Sequence, residues 1–142
     1  MDFERDRSAG YLVNLAARLL ARHLEARLRQ HGLALGAFPA LLLLWERDGL
    51  TQKELVELLG IEQPTMAATL ARMERDGLIT RHRDETDARV QRIRLTERAK
   101  ALRDPAVREA AAVNAHALSD VGESEREQFL QTLNRIIAAL GP

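Results

Sequence analysis

The chain has 142 residues in which 21 Lys or Arg balance 21 Asp or Glu, with 46% apolar residues, 4% aromatic ones and no cysteine. That length suits one domain with a real core, and the lack of cysteine excludes disulfides, thiolate metal sites and thiol redox sensing within it. The N-terminus mixes Asp2, Glu4 and Asp6 with Arg5 and Arg7, and the longest apolar run, residues 37–45, is too short to cross a bilayer, so a soluble cytoplasmic protein is expected.

Zero net charge alone argues against nucleic acid, but the charge is unevenly spread. Residues 72–103 hold ten Lys or Arg against six Asp or Glu, while 34–71 and 104–142 are each acidic by three and 1–33 basic by two. Nineteen of the 21 basic residues are arginine, whose planar fork suits phosphate and groove contacts. Abundant Leu, Ala, Arg and Glu predict a largely helical chain.

A first helix is read over residues 7–30, where Leu12, Leu15, Leu19 and Ala26 form one apolar stripe beside Ala16, Leu20, Leu24 and Leu28. The stretch 31–36, with Gly32 and Gly36, breaks it. A second helix, over 37–47, is apolar nearly all round and is expected to be buried on several sides. Gly49, Gly60 and Gly77 then each follow a helical run and precede Leu50, Ile61 and Leu78. The pattern predicts three endings of one kind, each a left-handed glycine whose successor packs back onto Trp45, Val56 or Met73. Thr51 and Glu54 are spaced for a capping box, with Leu50 stapled to Leu55. After the turn 60–63, Pro64 suits the first turn of a helix reaching Asp76. Two short helices so joined are a helix-turn-helix.

On the second of these helices Met66, Leu70 and Met73 form the core stripe, and Thr65, Ala68, Thr69 and Arg72 lie opposite. That slim face can enter a major groove; the competing reading is an ordinary solvated helix surface. Residues 79–83 and 90–95 read as two strands around a polar turn, 84–89, with Ile93 and Leu95 on one face and Arg92 and Arg94 on the other. A hairpin beside a helix-turn-helix is a wing, and its tip offers Arg89 to a minor groove. The alternative is a solvated turn in which Asp87 pairs with an arginine. Thr96 caps a helix through Ala99, Leu102 and Val107, kinked or restarted at Asp104-Pro105. A last helix starts near 122–124, capped by Gly122 with Glu125 or by Ser124 with Glu127. It carries Phe129, Leu130, Leu133, Ile136, Ile137 and Leu140. So much apolar surface at both chain ends fits packing onto a second copy, and equally the completion of a monomeric bundle.

Over nearly its whole length the chain resembles the MarR family of regulators. The resemblance rests on Gly10-Tyr11-Leu12, on the stretch 48–55, on Gln63-Pro64-Thr65-Met66, on 70–79, and on 84–96 with its Asp87-Ala88-Arg89 element. It implies a mostly α fold with a small β-hairpin wing, a winged helix-turn-helix lobe at 34–97, and helical dimerisation regions at 1–33 and 98–142. It also implies a two-fold homodimer on a pseudo-palindromic double-stranded operator, with a cleft that takes a small aromatic or anionic ligand. Ala67 and Ala68 stand where the family often has polar or basic side chains, and Ala88 where it usually has Arg or Gly, which thins the base contacts and the wing tip. Without cysteine, the chain falls outside the thiol-sensing peroxide branch.

The expected DNA-contacting residues are Thr51, Gln52, Gln63, Thr65, Ala68, Thr69, Arg72, Arg81, Arg83, Asp87, Arg89 and Arg92. Arg18, Arg22 and His31 are the expected partners of a ligand carboxylate, with Gly32 and Gly36 as hinge positions. His23, His31, His82 and His116 are scattered without metal-ligand spacing, so no metal or cofactor is expected. No phosphate loop, nucleophile elbow or carboxylate constellation is present, and an enzyme is not expected. Two readings remain: a ligand-released DNA-binding regulator, and a winged-helix dimer that serves as a protein-interaction module.

Overall fold

The computed structural model describes residues 1–141. A single 3-10 turn, Arg5–Arg7, precedes α1 (Ala9–Arg29), and another, Leu35–Ala37, leads into α2 (Phe38–Glu46). Next come α3 (Gln52–Leu59), α4 (Gln63–Arg75), β1 (Ile79–Arg83) and β2 (Gln91–Leu95). The chain closes with α5 (Glu97–Ala101), α6 (Arg103–Ala117) and α7 (Glu123–Leu140). The fold is mostly helical with a two-stranded antiparallel wing, as the periodicities predict. By internal packing it forms two compact units: Met1–Leu24 with the chain from Arg108 onward, and a lobe of Glu25–Val107.

The lobe is wider than the 34–97 read from the sequence, because Leu28, Leu33, Ala99 and Ala106 at its ends are all buried. Its core is aliphatic: Leu41 and Leu44 from α2, Leu55 from α3, Met66, Leu70 and Met73 from α4, and Ile79 and Ile93 from the wing. Removing such area from water stabilises the lobe by about 25 cal/mol per Å². Helix α2 buries Phe38, Ala40, Leu41 and Leu44, while Leu42 stays partly exposed. Trp45 lies edge-on to Phe38 and donates its indole N–H to the Ala99 carbonyl at 2.9 Å, so its one polar atom is satisfied.

The helix signals behave as expected at α3. Thr51 Oγ1 accepts from the Glu54 amide at 3.1 Å, and Glu54 Oε1 accepts from the Thr51 amide at 3.2 Å, closing the capping box. Two departures, at the glycines and at the start of α7, have physical reasons. The glycines do not end three helices alike. Gly77, at φ 73°, completes the full motif, with its amide on Glu74 O and the Leu78 amide on Met73 O. Gly49, at φ 86°, instead gives its amide to Ile93 O, while Leu50 O accepts from Ile93 N, so residues 49–50 run alongside β2. The helix restart expected around Asp104-Pro105 is present: α6 begins at Arg103, which leaves Pro105 in its first turn, where a missing N–H costs nothing. Helix α7 starts after Gly122 with no side-chain cap; Arg126 ties its start down by donating to Val121 O and Leu118 O, each at 2.7 Å.

Candidate nucleic-acid interface

Helix α4 splits into two faces because its apolar residues recur at helical spacing. Met66, Leu70 and Met73 are at most 1% exposed and fix its roll against the lobe. Thr65, Ala67, Ala68 and Arg72 are thereby exposed, with Thr69 at the edge. Arg72 has no ion pair among the described residues. At the helix start Gln52 Nε2 donates to Gln63 Oε1 at 2.9 Å, which ties α3 to α4.

The wing is a regular two-stranded ladder, with Thr80 opposite Arg94, Arg81 opposite Ile93 and His82 opposite Arg92. Its tip is organised by two carboxylates. Asp84 Oδ2 accepts from Thr86 Oγ1 at 2.7 Å, from the Thr86 amide at 3.2 Å and from the Asp87 amide at 3.1 Å. Asp84 Oδ1 accepts from Arg92 Nε at 2.6 Å. These hydrogen bonds, the Thr86 hydroxyl first and the Arg92 guanidinium next, hold the Asp84 carboxyl well below the usual carboxylate range. Asp87 in turn accepts from Arg89 Nε at 3.1 Å, from Nη2 at 3.3 Å and from the Arg89 amide at 3.0 Å, which lowers its pKa as well. The Arg89 side chain is 91% exposed, so it is aimed by Asp87 yet open to solvent.

Thr51, Gln52 and Lys53 at the start of α3 line one groove with Arg83, Ala88, Arg89 and Gln91 of the wing. Three cations and no carboxylate are among its described lining residues. Lys53 is absent from the sequence reading; its one available signal was its place in the first turn of a capped helix beside Gln52.

Two expected contacts turn inward. Arg92 also donates through Nη1 to Gly49 O at 3.0 Å, so its guanidinium braces the wing against the segment before α3. Arg81 is 24% exposed and pairs with Glu74 of α4 at 3.7 Å. Both therefore have a carboxylate partner within the lobe. The three expected ligand partners are not gathered in one unit: Arg18 and Arg22 are exposed on the part of α1 in the first unit, while half-buried His31 belongs to the lobe. Gly32 is held in a hydrogen-bonded helix ending, its amide on Arg29 O and the Leu33 amide on Leu28 O. His23 and His116 do meet, with ring centroids 5.9 Å apart.

Two helices and a hairpin in this arrangement define a winged helix-turn-helix protein. Residues 33–90 match the MarR family. The chain is 37% identical over 97 residues to the organic hydroperoxide resistance transcriptional regulator of Bacillus subtilis (strain 168), covering 68% of this chain and 66% of that protein. It is 33% identical over 93 residues to the HTH-type transcriptional regulator TtmR of Methylorubrum extorquens (strain PA1), covering 66% and 48%. The chain thus spans about half to two thirds of the length of these two relatives. A MarR-family transcriptional regulator from Listeria monocytogenes, solved in complex with 26mer DNA, superposes with a TM-score of 0.84 at 25% identity, covering 99% of this chain and 89% of that one. This chain belongs to the MarR family of winged helix-turn-helix transcriptional regulators, a family without enzymatic activity.

Proposed function

We propose that the chain is a homodimeric repressor that binds a pseudo-palindromic double-stranded operator through α4 and the wing, and that a small aromatic acid releases it. The observation that carries the reading is the cationic groove between the start of α3 and the wing, with Arg89 among its lining residues, joined through the Gln52–Gln63 hydrogen bond to α4, which exposes Thr65, Ala68 and Arg72. Thr65, Ala68, Thr69 and Arg72 face the major groove, where hydroxyls and methyls meet base edges and Arg72 suits guanine. Arg89 enters the adjacent minor groove, where narrow A·T-rich stretches attract arginine. Lys53 and Arg83 neutralise phosphates. The Listeria relative, solved on 26mer DNA, supports the same use of the lobe.

The dimer is supported by apolar residues left exposed in the first unit, where Leu12, Val13, Leu130 and Ile137 are 43–65% exposed and Leu140 is 82% exposed. The ligand is supported by a cavity of about 450 Å³ inside that unit. Leu19, Leu20, Val113 and Phe129 give it apolar walls, and His23 and His116 give it two ring nitrogen donors suited to a carboxylate.

Selection of duplexes from a random library, followed by a gel shift, tests the function. Enrichment of an inverted repeat with half-sites about one helical turn apart is expected. Failure to enrich any duplex over the unselected library at moderate salt refutes it.

A further inference from the structure

We propose that Asp84 is a positioning residue for DNA recognition: with Arg92 it tethers the wing tip to the segment before α3 and so aims Arg89. The proposal rests on the reading that Arg89 enters a minor groove.

The tether can be followed bond by bond. Gly49 O accepts from Arg92 Nη1 at 3.0 Å, and Arg92 Nε donates to Asp84 Oδ1 at 2.6 Å. The other Asp84 oxygen accepts the Asp87 amide, and the Asp87 carboxylate grips Arg89 through Nε and Nη2. Main-chain bonds from Asp84 N to Val90 O and from Val90 N to Asp87 O close the turn around this relay. The start of the path is itself fixed. The Gly49 amide donates to Ile93 O, and Asp48 Oδ1 accepts the amides of Gly49 and Leu95 at 3.0 and 2.9 Å. Thr51, the cap of α3, forms a bridge with Arg92.

Exposure separates Asp84 from Arg89. The Asp84 side chain is only 13% exposed and spends both oxygens inside the turn, whereas Arg89 projects into solvent. Asp84 therefore has no reach toward DNA, and its contribution is the direction in which Arg89 leaves the hairpin. A long side chain on the loop of a hairpin samples many directions unless its base is fixed, and a misdirected Arg89 would still attract phosphates while losing the groove.

Asp84→Asn keeps an acceptor for the turn amides and removes the charged partner of Arg92; Arg92→Gln removes the tether from the other side. Both are measured by fluorescence anisotropy on two duplexes carrying the half-sites selected by the wild-type protein, one flanked by A·T pairs and one by G·C pairs. Asp84→Asn and Arg92→Gln are each expected to lower the preference for A·T flanks by about three- to tenfold, a typical coupling in a shared network. Affinity for the G·C-flanked duplex should stay within about twofold, as for changes away from the contacts. The two changes should not add, and neither should lower the preference further when Arg89 is already alanine. An unchanged flank preference in both variants, or an equal loss of affinity for both duplexes, overturns the proposal. If Arg89→Ala itself leaves the preference intact, the minor-groove reading falls and this proposal with it. Amide exchange at residues 84–90 provides an independent readout: exchange should quicken in both variants while that of α4 is unchanged. Equal quickening in α4 would mark a loss of fold and overturn the positioning role.

Discussion

The two arginines to which the proposed function assigns base and groove contacts have different surroundings. Arg72 is unpaired among the described residues and stands on a helix whose buried stripe fixes its roll, so it has the geometry to read one base pair. Arg72→Ala is expected to cost about 1–3 kcal/mol on the selected operator and to relax specificity at one position. Arg89→Ala is expected to flatten the salt dependence by about one phosphate per subunit and to remove the flank preference. A salt titration on operator and scrambled duplexes separates them; identical behaviour of the two variants would count against the assignment. The carboxylates around them make a pH prediction. Asp84, Asp87 and Glu54 all have folded-state pKa values below their ordinary ones, Glu54 chiefly through the Thr51 amide. A lowered pKa in the folded state gives stability that is complete above the unfolded value, near 4, and is lost as pH falls through the folded one. The melting temperature should therefore be level from about pH 8 to 5 and fall below about pH 4, with a shallower fall in Asp84→Asn. An equally steep fall in that variant would remove Asp84 from the account.

Among the elements, α3 and α4 were the most legible in the sequence because their signals are local. Thr51 and Glu54 lie three residues apart and meet across one turn, and Gly77 and Leu78 close their helix onto residues three to five back. The strand alternation around Ile93 and Leu95 is equally short-ranged and correctly separates the buried face from the arginine face. The ending at Gly49 was misread, and the bonds of Arg92 within the lobe were not foreseen, for the opposite reason. The Arg92 contact with Gly49 spans 43 residues, and no periodicity reveals that residues 49–50 will lie beside β2. Lys53 was missed likewise, since its groove exists only when the wing folds against α3. Thr51→Ala is expected to lower stability by about 1 kcal/mol. Gly77→Ala should cost about 1–2 kcal/mol through its left-handed backbone. Gly49→Ala adds a contact, because a Cβ there would come within 3.3 Å of Arg94 Nη1. Denaturant melts of the three variants rank these effects. Gly49→Ala proving the mildest would show that the 49–50 segment is less constrained than its hydrogen bonds imply.

At the scale of the whole molecule, the proposed function assigns association to the first unit and reading to the lobe. A single chain weighs 15.9 kDa. Sedimentation equilibrium at micromolar concentration should give about twice that mass, because a stable pair buries large apolar area of the kind α1 and α7 leave exposed. A monomer under those conditions would remove both the dimer and the symmetric operator. Aromatic carboxylates are expected to release DNA at high micromolar to millimolar levels, since the cavity offers only a few polar anchors. His116→Leu should abolish that release and spare DNA affinity. An operator affinity that the acids leave within about twofold would discard ligand control. The stapling of β2 to residues 49–50 has a consequence for which DNA can be read at all. On the proposed function, the hydrogen bonds from the wing to the segment that caps α3, and the Gln52–Gln63 bond from α3 to α4, tie the helix assigned to the major groove to the arginine assigned to the minor groove. They sample the duplex in fixed phase. One extra base pair between the two contacts moves them about 3.4 Å apart along the axis and rotates one away from the other, so such a site should be rejected as firmly as one with a wrong base.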